Sequence, residues 1–299
     1  MLQYWIDNGI IKNKYKGFLS LEKQFDSRIR YVEFDDFLIR YCLVGEGEHT
    51  IVMVPDPPNS IEHCLDFISL LSKKFRVLYF EMPGFGFSIP KHWGYQYSVE
   101  EATRLTIRLL AHFNIKSCTL AFPCVAGYAA LKVAEQRPDL VHHLVALQTP
   151  QFEEELKWAR NVDIAGMIKT PVIGQLLLAW KKRTIAQHWY KVAQPRDNFS
   201  PQFFETWVHG SQKGSCFCLA SAFQHLFNGK KFTVGKITQP TTVIWGKADW
   251  PHRHTNTDTL TNYFEQASVH LFEKAGHFPE LEYSEEFINI LTNDLRKNG

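Results

Sequence analysis

The six cysteines, at 42, 64, 118, 124, 216 and 218, contain no C-x-x-C and no pairing rhythm. This argues against a disulfide scaffold and predicts reduced thiols in a cytoplasmic setting. Cys216 and Cys218 stand close together but lack a second cluster at zinc-site spacing. Long apolar runs are missing as well: nothing approaches the roughly 18 to 20 residues that span a bilayer. The opening segment MLQYWIDNGIIKNKYKG has no uninterrupted apolar core of signal-peptide length, so no transmembrane or processed segment is expected. Charge of one sign is not in excess. With 33 basic and 31 acidic side chains, net +2, neither a nucleic-acid groove nor a funnel for acidic substrates is expected. No internal repeat or low-complexity linker divides the chain.

What remains is ample for a core: 299 residues, 45% hydrophobic and 14% aromatic, enough for one large core and a smaller module. Leu2, Trp5, Ile6, Ile10 and Ile11 lie along one helical face of an extension over 1–28. Packing against the body of the protein is the simpler expectation for that face; a membrane-surface role is the alternative. Residues 30–34 and 37–43 flank the acidic turn Asp35-Asp36 and predict a hairpin. Apolar strands at 50–54, 75–80, 117–121 and 142–148 then alternate with helices at 62–72, 99–113 and 125–136. That rhythm predicts a mostly parallel sheet covered on both faces. It stops at 150–238, where Ile164, Met167, Ile168, Leu176, Leu177 and Trp180 recur at helical spacing, and four or five helices are predicted. Strands return at 241–245 and 268–272, before a last helix at 284–295. The expectation is an α/β core over 29–149 and 239–299 with a helical cap, 150–238, lying over the sheet.

Ligands of open parallel sheets bind beyond the carboxyl ends of the strands. Three such loops supply a nucleophile, an acid and a base: Cys124 before the small-residue helix start VAGYAA, Asp249 after TTVIWG, and His277 after VHLFEKAG. A strand, sharp turn and helix around Cys124 would expose the sulfur, and the helix N-terminus would lower its pKa. Taken singly, each has a plainer explanation: a buried cysteine filler, a structural histidine, a turn aspartate. His252 and His254 form H-x-H without an identifiable third ligand, so they are expected in a surface turn and no metal is expected. The Gly84 and Gly86 loop lacks the pattern of a nucleotide site. No cofactor is implied.

These segments resemble the α/β-hydrolase superfamily, in particular its capped branch of haloalkane dehalogenases, epoxide hydrolases and C–C hydrolases. The resemblance rests on RVLYFEMPGFGFSIP, matching strand plus D-x-P-G-x-G-x-S with Glu81 for Asp, and on LAFPCVAGYAALKVAEQRPDLVHHLVALQTP at the nucleophile elbow. PTTVIWGKADW and KAGHFPELEYSEEF supply the acid and the histidine in the family's order. The resemblance implies an eight-stranded sheet, catalysis by Cys124, His277 and Asp249, and an oxyanion donor at Val125. It also implies a pocket near Asp56, Pro57, Asn59, Phe122, Gln148, Trp180 and Phe278.

Three departures stand out. Cys124 replaces serine, Phe122 and Ala126 replace the elbow glycines, and Pro57 occupies the place of the second oxyanion donor although proline has no N–H. Phe122 predicts an altered turn, and Asn59 is a candidate substitute donor. The resulting expectation is a Cys-His-Asp enzyme acting on an apolar ester, thioester or similar acyl substrate through an acyl-cysteine, by hydrolysis, transfer or cyclisation. A carboxylate-dependent dehalogenation is disfavoured. The alternative is a non-catalytic homologue that binds an apolar small molecule. The oligomeric state is not legible in the sequence.

Overall fold

The computed structural model describes residues 2–11, 26–92, 95, 97–228 and 231–298. Eight strands form one sheet in the order β1-β2-β4-β3-β6-β7-β8-β9, and a two-residue strand, β5 (Ile89–Pro90), pairs with β2 at its side. β1 (Ile29–Glu33) and β2 (Phe37–Val44) make the expected hairpin around Asp35-Asp36. Asp36 is held there by Arg108 at 2.8 Å and Arg104 at 3.2 Å. β2 pairs antiparallel with β4 (Arg76–Phe80). From β4 onward the sheet is parallel through β3 (Thr50–Met53), β6 (Cys118–Pro123), β7 (Val141–Leu147), β8 (Thr241–Gly246) and β9 (Ala267–Phe272). β3, β6 and β8 are buried along their whole length, as strands covered on both faces must be, whereas β9 at the edge is largely exposed.

α2 (Ile61–Leu71) and α10 (Ser284–Asn298) cover one face; α3 (Val99–His112) and α4 (Gly127–Gln136) cover the other. α3 starts where Ser98 accepts a hydrogen bond from Glu101 N at 3.0 Å. The short α9 (Pro279–Glu282) follows the loop of His277.

The chain leaves the sheet after β7 and rejoins it at the adjacent β8. The helices between, α5 (Phe152–Val162), α6 (Ile173–Ala193), α7 (Pro201–Gln212) and α8 (Leu219–Asn228), are the predicted cap. Tyr190, Ala193 and Trp207 form a separate apolar cluster with Phe278 of the core, which fastens cap to sheet. At the N-terminus, α1 (Leu2–Trp5) runs into a π-helical turn, Ile6–Ile11. Ile6 is buried while Leu2 and Trp5 are exposed. Asp7 is buried in the cap, where it accepts a hydrogen bond from Ser221 Oγ. The rest of the predicted extension, to residue 25, lies outside the described residues.

Candidate active site

The loops after β6, β8 and β9 carry Cys124, Asp249 and His277 to one end of the sheet. Cys124 has φ 48°, in the left-handed region, between β6 and a short 3₁₀ turn, Cys124–Ala126, that leads into α4. A non-glycine residue held there costs of order 1–3 kcal/mol, and such strain marks a turn fixed by its surroundings. Thr149 Oγ1 donates to the Cys124 carbonyl at 3.1 Å, and a Cβ on Gly127 would meet the same threonine at 2.2 Å. Phe122 lies near the end of β6, in the position of the first elbow glycine. Its side chain points into the core, edge to face with Phe80 at 5.8 Å, where there is room for a large residue.

His277 is brought to the site by a close approach of two loops. A Cβ on Gly246, at the end of β8, would lie 1.9 Å from the Gly276 carbonyl, so only glycine allows the acid strand and the histidine loop to touch. His277 Nδ1 lies 2.6 Å from Asp249 Oδ2, and the same oxygen accepts from Gln148 Nε2 at 2.7 Å. Gln148 therefore braces the acid; it does not face the cavity. On the other side of the ring, Nε2 lies 3.1 Å from Asp56 Oδ2 without the alignment of a hydrogen bond. Cys124, Asp249, His277 and Asp56 are all buried.

Electrostatics reverses one expectation. The thiol of Cys124 is not lowered by its helix. Burial raises it well above its ordinary value, and Glu155 and Asp56 raise it further against the opposing charge of His277. Burial works against a charged His277, but Asp249 first and then Cys124 and Asp56 override it, so the ring is raised well above its usual range. Burial would also raise Asp249, yet His277 and His252 keep it low. Burial thus favours the neutral thiol, while Asp249 and Asp56 favour the protonated ring.

Glu155 escaped the sequence reading. It is fully buried on α5, with Cys124 Sγ 3.9 Å from its Oε1. Burial, with Asp56 and Asp249 nearby, raises it to about 8 despite the charge of His277, so it is protonated near neutrality. Its spacing from Phe152 and Ala159, both buried, was a usable sign, masked by the run Glu153 to Glu155. His252 was expected in a surface turn and is instead buried, its ring centre 5.3 Å from that of His277; His254 is exposed. Cys124, His252 and His277 each bring one ligand atom within 4.8 Å of the other two.

A cavity of about 90 Å³ opens between sheet and cap beside Cys124, Val125 and His277. Asp56, Pro57 and Asn59 line it, joined by Tyr97, Trp158, Trp189 and apolar residues of α8. Asn59 Oδ1 accepts from Tyr190 Oη at 2.7 Å, while Asn59 Nδ2 is buried without a partner. Three predicted pocket residues besides Gln148 sit elsewhere. Phe122 is core, Phe278 stacks on Phe203 at 5.5 Å behind the site, and Trp180 is 77% exposed on the outer face of α6 beneath Lys181.

Known proteins are similar to this chain in sequence or in fold. A 2-hydroxy-6-oxononadienedioate/2-hydroxy-6-oxononatrienedioate hydrolase of Cupriavidus pinatubonensis is 24% identical over 281 residues, 87% of this chain and 91% of its own. The serine hydrolase BPHL of Mus musculus is 20% identical over 268 residues, 86% of this chain and 83% of its own. Among solved structures, an epoxide hydrolase of Bacillus megaterium in complex with an inhibitor superposes with TM-score 0.70 at 17% identity, covering 89% of this chain and all (100%) of its own. The family model of the alpha/beta hydrolase fold matches residues 51–282, and the chain belongs to that family.

Proposed function

We propose that the protein is a cysteine hydrolase or acyltransferase that forms an acyl-thioester on Cys124. The observation carrying this reading is the line Cys124, His277, Asp249, with the sulfur on a left-handed elbow and the imidazole tied to its carboxylate at 2.6 Å. In this mechanism His277, once its Nε2 proton is lost, takes the proton of the thiol as sulfur attacks the acyl carbon. The S–C bond forms, the bond to the leaving group breaks, and His277 returns the proton to that group. A water or another acceptor, deprotonated by His277, then releases the acyl group and restores the thiol.

The developing oxyanion needs donors. Val125 N–H supplies one, and the unpartnered Asn59 Nδ2 supplies the one that Pro57 lacks. Protonated Glu155 beside the sulfur can donate a further hydrogen bond, a use of a neutral buried acid seen in other enzymes.

The cavity also bounds the substrate. It is lined by Asp56 and Glu81, and among the described residues by no lysine or arginine. A neutral or cationic acyl group suits it; a dianionic one would meet repulsion. At about 90 Å³ it is smaller than a cavity of about 150 Å³ that takes one benzene, so anything larger than a small acyl group requires the cap to shift.

The test is intact-mass analysis after exposure to a panel of neutral activated esters and thioesters. An acyl adduct on the native chain that is absent from Cys124→Ala supports the reading. No adduct and no turnover across the panel would leave a ligand-binding homologue, which the carboxylates crowding the sulfur favour.

A further inference from the structure

We propose that Cys124, His252 and His277 bind one soft divalent cation of the zinc class, the fourth position being left to solvent. This goes beyond the acyl-transfer reading and does not depend on turnover.

Both histidines are anchored through Nδ1. His277 Nδ1 lies 2.6 Å from Asp249 Oδ2, and His252 Nδ1 lies 3.1 Å from Thr255 Oγ1. The Nε2 atom of His252 is buried without a hydrogen-bond partner, and that of His277 is buried facing Asp56 Oδ2 at 3.1 Å. Metal-binding imidazoles are typically anchored in this way, through the second ring nitrogen.

The spacing fits as well. The three side chains each place a ligand atom within 4.8 Å of the others, and the stacked rings of His252 and His277 would have to tilt for both nitrogens to face one ion. Asp56 Oδ2 lies 3.1 Å from His277 Nε2, so a cation on that nitrogen would displace this ion pair. A thiolate with two imidazoles selects zinc, cobalt or copper over magnesium and calcium.

On binding, the S–H bond of Cys124 breaks and an Sγ–metal bond forms. The thiol proton and the Nε2 proton of His277 leave to solvent, and no electron is transferred. The metal and an acylating ester then compete for the same sulfur, so the cation acts as a reversible inhibitor.

Cobalt(II) titrated into the full chain, previously dialysed against a chelator, tests this directly. One ion per chain is expected, with a cobalt–thiolate charge-transfer band that is lost in Cys124→Ser. His252→Phe, which keeps an aromatic ring against Trp158, should weaken binding by at least about tenfold. Zinc should slow iodoacetamide labelling of Cys124, and a chelator should restore it. None of these readouts needs an acyl substrate, so cation binding without acylation would sink the enzymatic reading alone. Absence of the thiolate band in the native chain at saturating cobalt overturns the proposal. So does an undiminished band in folded Cys124→Ser, or labelling indifferent to zinc.

Discussion

At the scale of single residues, the site is governed by which proton sits where. Asp249 fixes the tautomer of His277, and replacing it by asparagine leaves the volume unchanged but presents a donor to Nδ1. Asp249→Asn is therefore expected to lower the acylation rate by up to roughly 10⁴-fold, the loss seen for the equivalent change in a serine enzyme, read as the rate of adduct formation by mass. Asp56 acts in the opposite sense. Its carboxylate, 3.1 Å from Nε2, helps keep the ring protonated and unable to accept the thiol proton. Asp56→Asn is expected to lower the pKa of His277 and raise acylation near neutral pH, shifting the rising limb of the pH–rate profile to lower pH. A profile that stays in place would show that Asp56 does not control the ring. Cys124, His277 and Asp249 were legible in the sequence because each lies in the loop that follows a predicted strand. Glu155 and the inward turn of His252 were not, because they reach the sulfur through space from the cap and from a turn.

Elements meet at the seam between cap and core. Tyr190 of α6 donates to Asn59, and His63 of α2 lies 3.0 Å from the Phe203 carbonyl of α7 through Nε2. Tyr190→Phe is expected to cost about 1–3 kcal/mol in chemical denaturation, since Asn59 Oδ1 is left buried without its donor. It should also slow acylation more than it weakens substrate binding, because Asn59 then loses its fixed orientation; a change confined to KM would contradict that role. A second seam lies inside the core. Glu81, at the position where the family has aspartate, meets buried Arg40 at 2.9 Å and accepts from the backbone N–H groups of Ile61 and Phe87. The longer side chain fills the space beside Gly86, where a Cβ would fall 2.0 Å from its carboxyl carbon. Sequence comparison exposed the substitution, but its partner Arg40 lies on β2 and only the folded sheet brings them together.

For the whole molecule, buried ionisable groups set the response to pH. Burial raises Glu155 and Glu280 to about 8 and Asp7 and Glu282 to about 7. The folded chain therefore keeps protons that the unfolded chain releases in the ordinary carboxylate range. Stability present below that range is lost as pH rises toward 8, and His277, also raised, adds a loss in the same direction. His63 and His143, lowered by burial to about 4, and His252, lowered to about 3, act oppositely and lose stability as pH falls below about 6.5. Above about pH 6.5 only the first group acts, so the melting temperature is expected to fall between about pH 6.5 and 8. Glu155→Gln should flatten that slope; a melting temperature rising across the interval would contradict the assignment of these buried acids.

The sequence by itself determined the strands, the helices, the inserted cap and the order of the three loops, because periodicity and turn chemistry are local and survive in one dimension. Only the tertiary structure decided that the Cys124 thiol is raised, that Asp56 and Glu155 face it, and that Trp180 points to solvent. Those outcomes depend on burial and on distances between charges from distant parts of the chain, and neither is written in the spacing of residues.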